Sequence, residues 1–212
     1  MDFNEAPGRD LDGLERALRE VEPAAATTWE HARLALGERA GAEGLVDVAF
    51  ETHDSPLGLL LVGATARGVV RVGLPVQNPD ALLEELARRI SPRVLRAPRN
   101  TVTQARRELD QYFEGERHEF EVTLDWQLTG GFRRDVLRAT ARIPYGQTAS
   151  YRDVAAEAGS PRAFRAAGSA LATNPLPIVV PCHRVLRSGG GLGEYGGGPE
   201  MKARLLRLEG ST

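Results

Sequence analysis

The sequence predicts an α+β protein in which a small antiparallel sheet with helices precedes a mostly helical segment. Three observations support this fold class. Short apolar runs separated by glycines occupy residues 45–72, apolar residues recur at helical spacing over most of residues 80–172, and the 212 residues suffice for one large domain or two small ones. We therefore expect a helical extension over residues 1–44, of unassigned role, an α+β domain over 45–125, and a second domain over 126–212.

Apolar spacing and turn residues predict the elements of the first half. Two short helices separated by Pro23 are expected in the extension; their apolar positions are Leu11, Leu14, Leu18 and Val21, then Trp29, Ala32, Leu36 and Ala40. Three strands are expected over residues 45–50, 59–62 and 69–72. Two further helices are expected over 80–90, with Asp80 as N-cap, and over 103–113, which ends at Gly115.

The second half predicts a helix-turn-helix. Helices are expected over residues 129–142, 151–158 and 162–172. The inward positions of the first are Phe132, Val136, Leu137 and Ala141. Ser150 is the expected N-cap of the second helix, and residues 159–161 turn the chain into the third, which would be the recognition helix. Because many helical hairpins bind nothing, this pattern alone does not identify a ligand.

The third helix of this group is rich in small residues, among them Ala163, Ala166 and Gly168, and Arg165 projects from among them. Small side chains let a backbone approach another surface closely, so an arginine in this position could enter a DNA groove. The same pattern also fits packing against a neighbouring helix, with Arg165 solvated.

Composition restricts the class of protein. The formal net charge is −2 and the apolar fraction is 42%, which permits a substantial core and does not mark a strongly basic nucleic-acid binder. Neither the ~20 uninterrupted apolar residues of a membrane span nor a secretory signal is present. A single cysteine excludes an internal disulfide and a zinc site of several cysteines, and the remaining histidines have no metal-ligand spacing. We expect a cytoplasmic protein without membrane association or bound metal.

The charge is distributed unevenly along the chain. Acidic side chains exceed basic ones over residues 1–130, whereas nine arginines face three acidic residues between 131 and 190. This second segment fits either an anionic partner or a solvated helix face, and charge alone does not decide between them.

The cysteine lies in the stretch Pro181–Val185, after an apolar run and a rigid connector at residues 174–177. A cysteine nucleophile needs a base or a positive environment that favours the thiolate. His183 is adjacent to Cys182, but neighbours in an extended segment face opposite sides, so the imidazole reaches the sulfur only if the chain turns or a water bridges them. Glu209, which follows a predicted helix over 199–208, could orient the imidazole. An inert buried cysteine beside a surface histidine is the alternative.

The glycine-rich loop after the cysteine contains the pattern G-x-G-x-x-G at residues 191–196. A dinucleotide site would need a strand before this pattern, a long helix after it and an acidic residue ~20 positions on. The chain ends too soon to complete that unit, so we reject a nicotinamide or flavin site and expect a loop that closes over a ligand.

Several segments together give the chain a family resemblance. In order they are Gly146–Tyr151, the helix with Arg165, Asn174-Pro175, Pro181–Val185, Gly193–Gly197 and Leu208–Gly210. With this order and spacing the chain resembles the O6-alkylguanine-DNA alkyltransferases, also called methylated-DNA–protein-cysteine methyltransferases. The resemblance is specific over roughly residues 101–210, looser over 45–100 and absent over 1–44. It implies a ribonuclease H-like first domain and a winged-helix-like second domain that binds DNA and accepts the alkyl group.

The resemblance also implies a role for each matching residue. Cys182 would be the alkyl acceptor, His183 the base that takes the thiol proton through a water, and Glu209 the group that orients the imidazole. Tyr151 would stabilise the departing guanine at N3, and Asn174 would brace the turn before the cysteine. The DNA-binding set would be Arg165, as a finger that fills the space of the flipped nucleotide, with Ser150, Tyr151, Ala163, Ala166 and Gly168. The substrate pocket would comprise Pro177, Val185, Tyr195 and Gly196, with backbone groups of Cys182 and Val185 on the guanine edge.

The function implied by the resemblance is stoichiometric repair. A monomer without a cofactor would bind double-stranded DNA through the minor groove and take the alkyl group from O6-alkylguanine, and from O4-alkylthymine, irreversibly onto Cys182. Two other readings stay open: an alkyltransferase-like module that binds lesions without transfer, and a cysteine hydrolase of another fold.

Three positions depart from the family pattern. Phe164 is bulky where a small aliphatic residue is usual, and either wedges into DNA or packs inward. Gly196 stands where some members have serine, and the cysteines with which some members bind zinc are missing.

Overall fold

The computed structural model describes residues 28, 31–32, 35–37 and 39–211. The helix predicted around Leu11–Val21 lies outside the described residues, as does Trp29 of the second predicted helix. The described residues between 28 and 42 are helical, and Ala40 is buried against the main core. Among the helices of the described segments, none has both the length and the apolar character needed to cross a bilayer.

A four-stranded sheet forms the centre of the first part. Its strands are β1 (Val48–His53), β2 (Leu60–Thr65), β3 (Gly68–Gly73) and β4 (Val94–Arg96). The order is β3-β2-β1-β4; the pairs β1–β2 and β2–β3 are antiparallel, as predicted, whereas β4 was not predicted and pairs parallel to β1. With only three residues, β4 is too short to show a periodic pattern.

Helices cover both faces of this sheet. They are α1 (Pro79–Arg89) and α2 (Asn100–Phe113). Leu86 of α1 packs with Val48 and Val70, whereas Leu109 of α2 belongs with Val62 to the main core. Because successive strand residues face opposite sides, this partition shows that the sheet is buried on both faces, which explains the apolar runs.

The predicted N-cap of α1 was wrong. Asn78 caps the helix, and its Oδ1 accepts hydrogen bonds from the backbone N–H groups of Asp80 at 2.9 Å and Ala81 at 3.3 Å. Pro79 takes the first helical position, where its missing N–H and preset φ suit a helix start. Asp80 therefore lies in the first turn of the helix.

The second part is mostly helical. Its elements are α3 (Gly131–Ala141), β5 (Ala149–Ser150), α4 (Tyr151–Glu157), α5 (Phe164–Ala172), a 3-10 turn (Cys182–Arg184), β6 (Val185–Leu186) and α6 (Gly198–Leu208). Helix α3 buries Val136 and Leu137 as predicted, but Ala141 is exposed and Thr140 is buried instead. At the C-terminal end of α3, the buried face therefore includes residue 140 instead of residue 141. With the sheet of the first part and these helices, the predicted α+β fold is confirmed.

A two-stranded parallel ladder joins the helix-turn-helix to the cysteine segment. Ala149 pairs with Val185, and Ser150 pairs with Leu186. Ser150 also caps α4 as predicted: its Oγ accepts from the N–H of Asp153 at 3.1 Å, and a carboxylate oxygen of Asp153 accepts from the N–H of Ser150 at 2.9 Å. The ladder and this capping box fix the start of α4 beside the turn that carries Cys182.

The cap of α1 gives a stability prediction. Replacing Asn78 with Ala should lower the free energy of unfolding by about 1 kcal/mol, because two helix N–H groups lose their acceptor. Asp80→Ala is the matched control and should cost only about 0.3–0.5 kcal/mol through the helix dipole. Chemical denaturation of both variants measures the difference. An Asp80→Ala loss equal to or larger than the Asn78→Ala loss would contradict the assignment of the cap.

Candidate active site around Cys182

The chain reverses direction between α5 and the cysteine in a turn that the side chain of Asn174 braces. Its Oδ1 accepts a hydrogen bond from the N–H of Leu176 at 2.9 Å, and its Nδ2 donates to the carbonyl of Val180 at 2.9 Å and to Sγ of Cys182 at 3.1 Å. Within the turn Ile178 has a φ of 73°, which is strained for a β-branched residue. One amide side chain therefore holds both the turn and the sulfur.

The cysteine, the histidine and the arginine after it form one turn of 3-10 helix rather than an extended segment. The sulfur contacts Asn174, whereas Nε2 of His183 lies 2.9 Å from Glu209 at the end of α6. Cys182 is 6% exposed, and His183 is fully buried. Nδ1 of His183 is buried and has no hydrogen-bond partner among the described residues. This nitrogen is therefore available to a ligand or a water.

The carboxylate of Glu209 gathers three side chains in the interior. Besides the hydrogen bond with Nε2 of His183, it accepts hydrogen bonds from Nε and Nη2 of Arg184 at 2.8 and 2.9 Å and from the hydroxyl of Tyr112 at 2.6 Å. Burial alone would raise the pKa of Glu209, but hydrogen bonds from His183, Arg184 and Tyr112 outweigh it and lower the pKa to about 2. Glu209 is therefore a permanent anion at neutral pH.

This anion determines the protonation of His183. An ionised carboxylate only accepts hydrogen bonds, so Nε2 of the imidazole must carry the hydrogen that it donates to Glu209. Burial lowers the pKa of His183 against the opposing effect of Glu209, which keeps the ring neutral at pH 7. The unpartnered Nδ1 then carries a lone pair and can act as a base.

The thiol is protonated at rest. Burial raises the pKa of Cys182 to about 11, although the hydrogen bond from Asn174 and the charge of Lys202 oppose the rise. Lys202 is itself buried, donates from Nζ to the carbonyl of Val185 at 2.6 Å, and has its pKa lowered by burial to about 8. At neutral pH the site thus holds a neutral thiol and a positive ammonium that would stabilise a thiolate.

Sequence reasoning missed two of these groups. Lys202 occupies the buried face of α6 beside Met201 and Leu205, and Tyr112 occupies the buried face of α2. A lysine at an apolar helix position is a signal that could have identified Lys202. Tyr112 gave no such signal, because a tyrosine on the inward face of an amphipathic helix is ordinary.

A cavity of about 500 Å³ lies between α4, α5 and the loop after β6, and is lined in part by Tyr151, Arg165, Gly168 and Glu194. Tyr151 stands between two glycines: a Cβ at Gly193 would lie 2.6 Å from its hydroxyl, and one at Gly168 would lie 3.7 Å from its ring. These glycines make room for the phenol. Cys182 is not among the residues that line the cavity.

The other residues expected in the pocket lie around the cysteine turn. Tyr195 meets the ring of His183 edge-on, with 6.3 Å between centroids, while Gly196 is exposed and Pro177 is buried. Val185 is buried, and its carbonyl already accepts from Lys202.

The expected DNA-binding residues lie on or next to α5. Arg165 and Ala166 are exposed, Ala163 and Gly168 are half-buried, and the hydroxyl of Ser150 is occupied by its cap. Within the described ranges, no group of three or more His, Cys, Asp or Glu side chains could hold a metal ion.

The charge of Lys202 can be tested through the reactivity of the thiol. Lys202→Met should slow alkylation of Cys182 by iodoacetamide below pH 8, where the ammonium is charged and stabilises the thiolate. Well above pH 8 the rates of variant and wild type should converge, because Lys202, with a pKa of about 8, has lost its proton. Intact mass reports Cys182 alone, since the chain has one cysteine.

The control for this experiment is Arg207→Met, which removes an exposed positive charge from the same helix and should leave the alkylation rate unchanged. A rate difference for Lys202→Met that persists unchanged at high pH would show that the variant acts through packing rather than through charge.

Comparison with known proteins identifies a family for both parts of the chain. The family model described as "6-O-methylguanine DNA methyltransferase, ribonuclease-like domain" matches residues 48–126, and the one described as "6-O-methylguanine DNA methyltransferase, DNA binding domain" matches residues 131–211. A methylated-DNA–protein-cysteine methyltransferase of Mycolicibacterium paratuberculosis is 40% identical over 163 residues, which cover 76% of this chain and 92% of the relative. The inducible methyltransferase of that name from Bacillus subtilis is 39% identical and covers 70% and 82%.

Solved structures show the same likeness. The crystal structure of Mycobacterium tuberculosis OGT in complex with DNA is 36% identical, with a TM-score of 0.65 over 77% of this chain and 93% of that one. O6-methylguanine-DNA methyltransferase from Pyrococcus kodakaraensis is 25% identical, with a TM-score of 0.59 over 77% and 99%. From the two consecutive family models and relatives of this identity and coverage, we conclude that the chain belongs to the 6-O-methylguanine DNA methyltransferase family.

Proposed function

We propose that the protein repairs DNA by direct reversal, taking the alkyl group from O6-alkylguanine, and from O4-alkylthymine, onto the sulfur of Cys182. The observation that carries this proposal is the buried network in which Asn174 holds the sulfur and Glu209 holds His183, in a chain of this family. The relatives named above are methylated-DNA–protein-cysteine methyltransferases. Because the product is a thioether, each molecule reacts once.

The proposed reaction balances as a displacement at the alkyl carbon. A bond forms between Sγ of Cys182 and that carbon, while the bond from the carbon to O6 of guanine breaks. The thiol proton passes through a water to Nδ1 of His183, and the negative charge of Glu209 stabilises the imidazolium that results. The departing guanine takes a proton at N3 from the hydroxyl of Tyr151, which is later restored from His183 by way of solvent.

The protonation states support this order of events. The thiol has a pKa of about 11, so the substrate meets a neutral sulfur that must lose its proton as the alkyl group arrives. His183 is neutral and its Nδ1 has no hydrogen-bond partner among the described residues, while Lys202 supplies positive charge. Base, orienting anion and cation are in place before the substrate binds, as electrostatic catalysis requires.

The arrangement of α5 supports binding of double-stranded DNA in the minor groove. Its exposed face consists mainly of small residues, from which Arg165 extends beside the cavity that Tyr151 lines. Guanine O6 lies inside the stacked duplex, so an enzyme that attacks its substituent must extrude the base at a cost of a few kcal/mol. Arg165 would fill the vacated space and offset part of this cost.

The proposal also assigns the parts of the chain. Residues 126–212 would form the DNA-binding and alkyl-acceptor domain, 45–125 would form an α+β domain, and 1–44 would be a helical extension of unassigned role. We propose that the protein acts as a cytoplasmic monomer.

Transfer to Cys182 gives the direct test. After incubation with a duplex that contains O6-methylguanine, the intact protein should gain the mass of one methyl group, and the gain should stop at one group per molecule. Cys182→Ala should gain none. Lesion binding without a mass gain would favour a module that binds without transfer, and repeated turnover on an ester would favour a hydrolase.

The role of Arg165 separates base extrusion from chemistry. Arg165→Ala should slow repair of duplex substrate by at least about tenfold, because the cost of extrusion is no longer offset, but should change the reaction with free O6-benzylguanine by less than about twofold. Arg162→Ala, which removes an exposed arginine just before α5, is the matched control and should show a smaller loss on the duplex. Equal losses of Arg165→Ala on both substrates would contradict the finger role.

A further inference from the structure

The outward face of α5 carries two large side chains among small ones. Ala166 and Ser169 are exposed and small, whereas Phe164 and Arg165 at the start of the helix stand out from this face. Phe164 is 40% exposed and is the only aromatic among the exposed large hydrophobic residues in the described part of the chain. The ring of Phe164 is therefore not buried in the core.

Two arginines flank the exposed ring. The guanidinium carbons of Arg152, on α4, and Arg165 each lie 6.0 Å from the centroid of Phe164. Such cation–π contacts are worth about 0.5–1 kcal/mol each at exposed sites, so they favour one orientation of the ring. All three residues line the cavity that Tyr151 and Gly168 also line.

An exposed aromatic face between two cations matches the chemistry of a nucleic acid. Bases stack on aromatic side chains regardless of sequence, and arginines bind the phosphates on either side. Apolar side chains that enter the minor groove also wedge between base steps and kink the duplex. A protein partner would be expected to bury more apolar surface than one ring, and the remaining exposed residues of this face are small.

We propose that Phe164 is a second intercalating side chain, which stacks on a base beside the nucleotide that Arg165 replaces. Consecutive helical residues point about 100° apart, so the two side chains cannot fill the same gap. In the free protein the guanidinium carbon of Arg165 lies over the ring, 6.0 Å from its centroid, and insertion of Arg165 into the duplex would leave this side of the ring open to a neighbouring base. This inference rests on the proposed function, because it needs DNA on the face of α5.

The first experiment compares Phe164→Ala with Phe164→Leu on two substrates. On a duplex that contains O6-methylguanine, Phe164→Ala should slow transfer about fivefold or more, since loss of an aromatic–base stack costs at least that much. Phe164→Leu keeps apolar bulk, so its transfer rate should lie between those of Phe164→Ala and the wild-type protein. Both should react with free O6-benzylguanine within about twofold of wild type. Leu59→Ala removes an apolar side chain that is 49% exposed, against 40% for Phe164, and lies outside the cavity lining; it should change neither rate.

A second measurement does not depend on transfer. Phe164→Trp is combined with Cys182→Ala, and tryptophan emission is followed as duplex is added, with Cys182→Ala alone giving the background of the two native tryptophans. Stacking of the introduced indole on a base should quench the emission.

The outcomes separate this inference from the proposed function. If Phe164→Ala lowers the transfer rate equally on the duplex and on free O6-benzylguanine, the ring shapes the pocket. If it lowers neither rate, the ring contacts no substrate. Either result would overturn the inference. Absence of transfer by the wild-type protein would refute the proposed function, and the quenching measurement would still decide whether position 164 stacks on DNA. Absence of quenching by a duplex that binds would overturn the inference.

Discussion

The rest of the site depends on one buried carboxylate. Glu209 closes α6 and accepts hydrogen bonds from His183, Arg184 and Tyr112. Tyr112 belongs to the helix that packs on the sheet of the first part, so the orientation of the imidazole depends on residues from both parts of the chain. A buried ion pair contributes little net stability by itself, but loss of one partner would leave the charge of Arg184 unpaired in the interior at a cost of about 3–5 kcal/mol. The network is therefore better understood as a device that fixes geometry than as a source of stability.

Burial moves the ionisable groups of the site toward their neutral forms. It raises the pKa of Cys182 and lowers those of His183 and Lys202, whereas the pKa of Glu209 falls because several donors bind its carboxylate. The thiolate rather than the thiol reacts with electrophiles and oxidants. A sulfur that reacts once benefits from staying protonated until a bound substrate favours loss of the thiol proton. The same burial that slows the resting thiol thus protects it from unproductive reaction.

Much of the fold could be predicted because most helices and strands have a recognisable pattern of apolar and turn residues within their own segment. Three strands and the helix-turn-helix followed from apolar spacing and turn residues, and the cap at Ser150 from its position. Local sequence patterns did not predict features that depend on contacts between distant residues. Strand β4 forms because it pairs with β1, and Tyr112 donates its hydrogen bond to Glu209, 97 positions further along the chain. The cap of α1 was misassigned because both Asn78 and Asp80 are suitable residues, and only the position of Pro79 distinguishes them. The roles expected for the site residues stay predictions, although the contacts of Asn174, His183 and Glu209 are the ones those roles need.

The position of the sulfur is set by the backbone before any substrate arrives. Ile178 occupies a left-handed conformation that costs a β-branched residue about 1–3 kcal/mol. In the same turn the side chain of Asn174 donates two hydrogen bonds and accepts one. Strain of this kind persists only where the surrounding structure over-determines it. The ladder between Ala149–Ser150 and Val185–Leu186 then ties the far side of the cysteine turn to the start of α4, where Tyr151 stands. Two stretches of backbone joined by this ladder thus hold Cys182 and Tyr151 in fixed positions relative to each other, and of the two only Tyr151 lines the cavity.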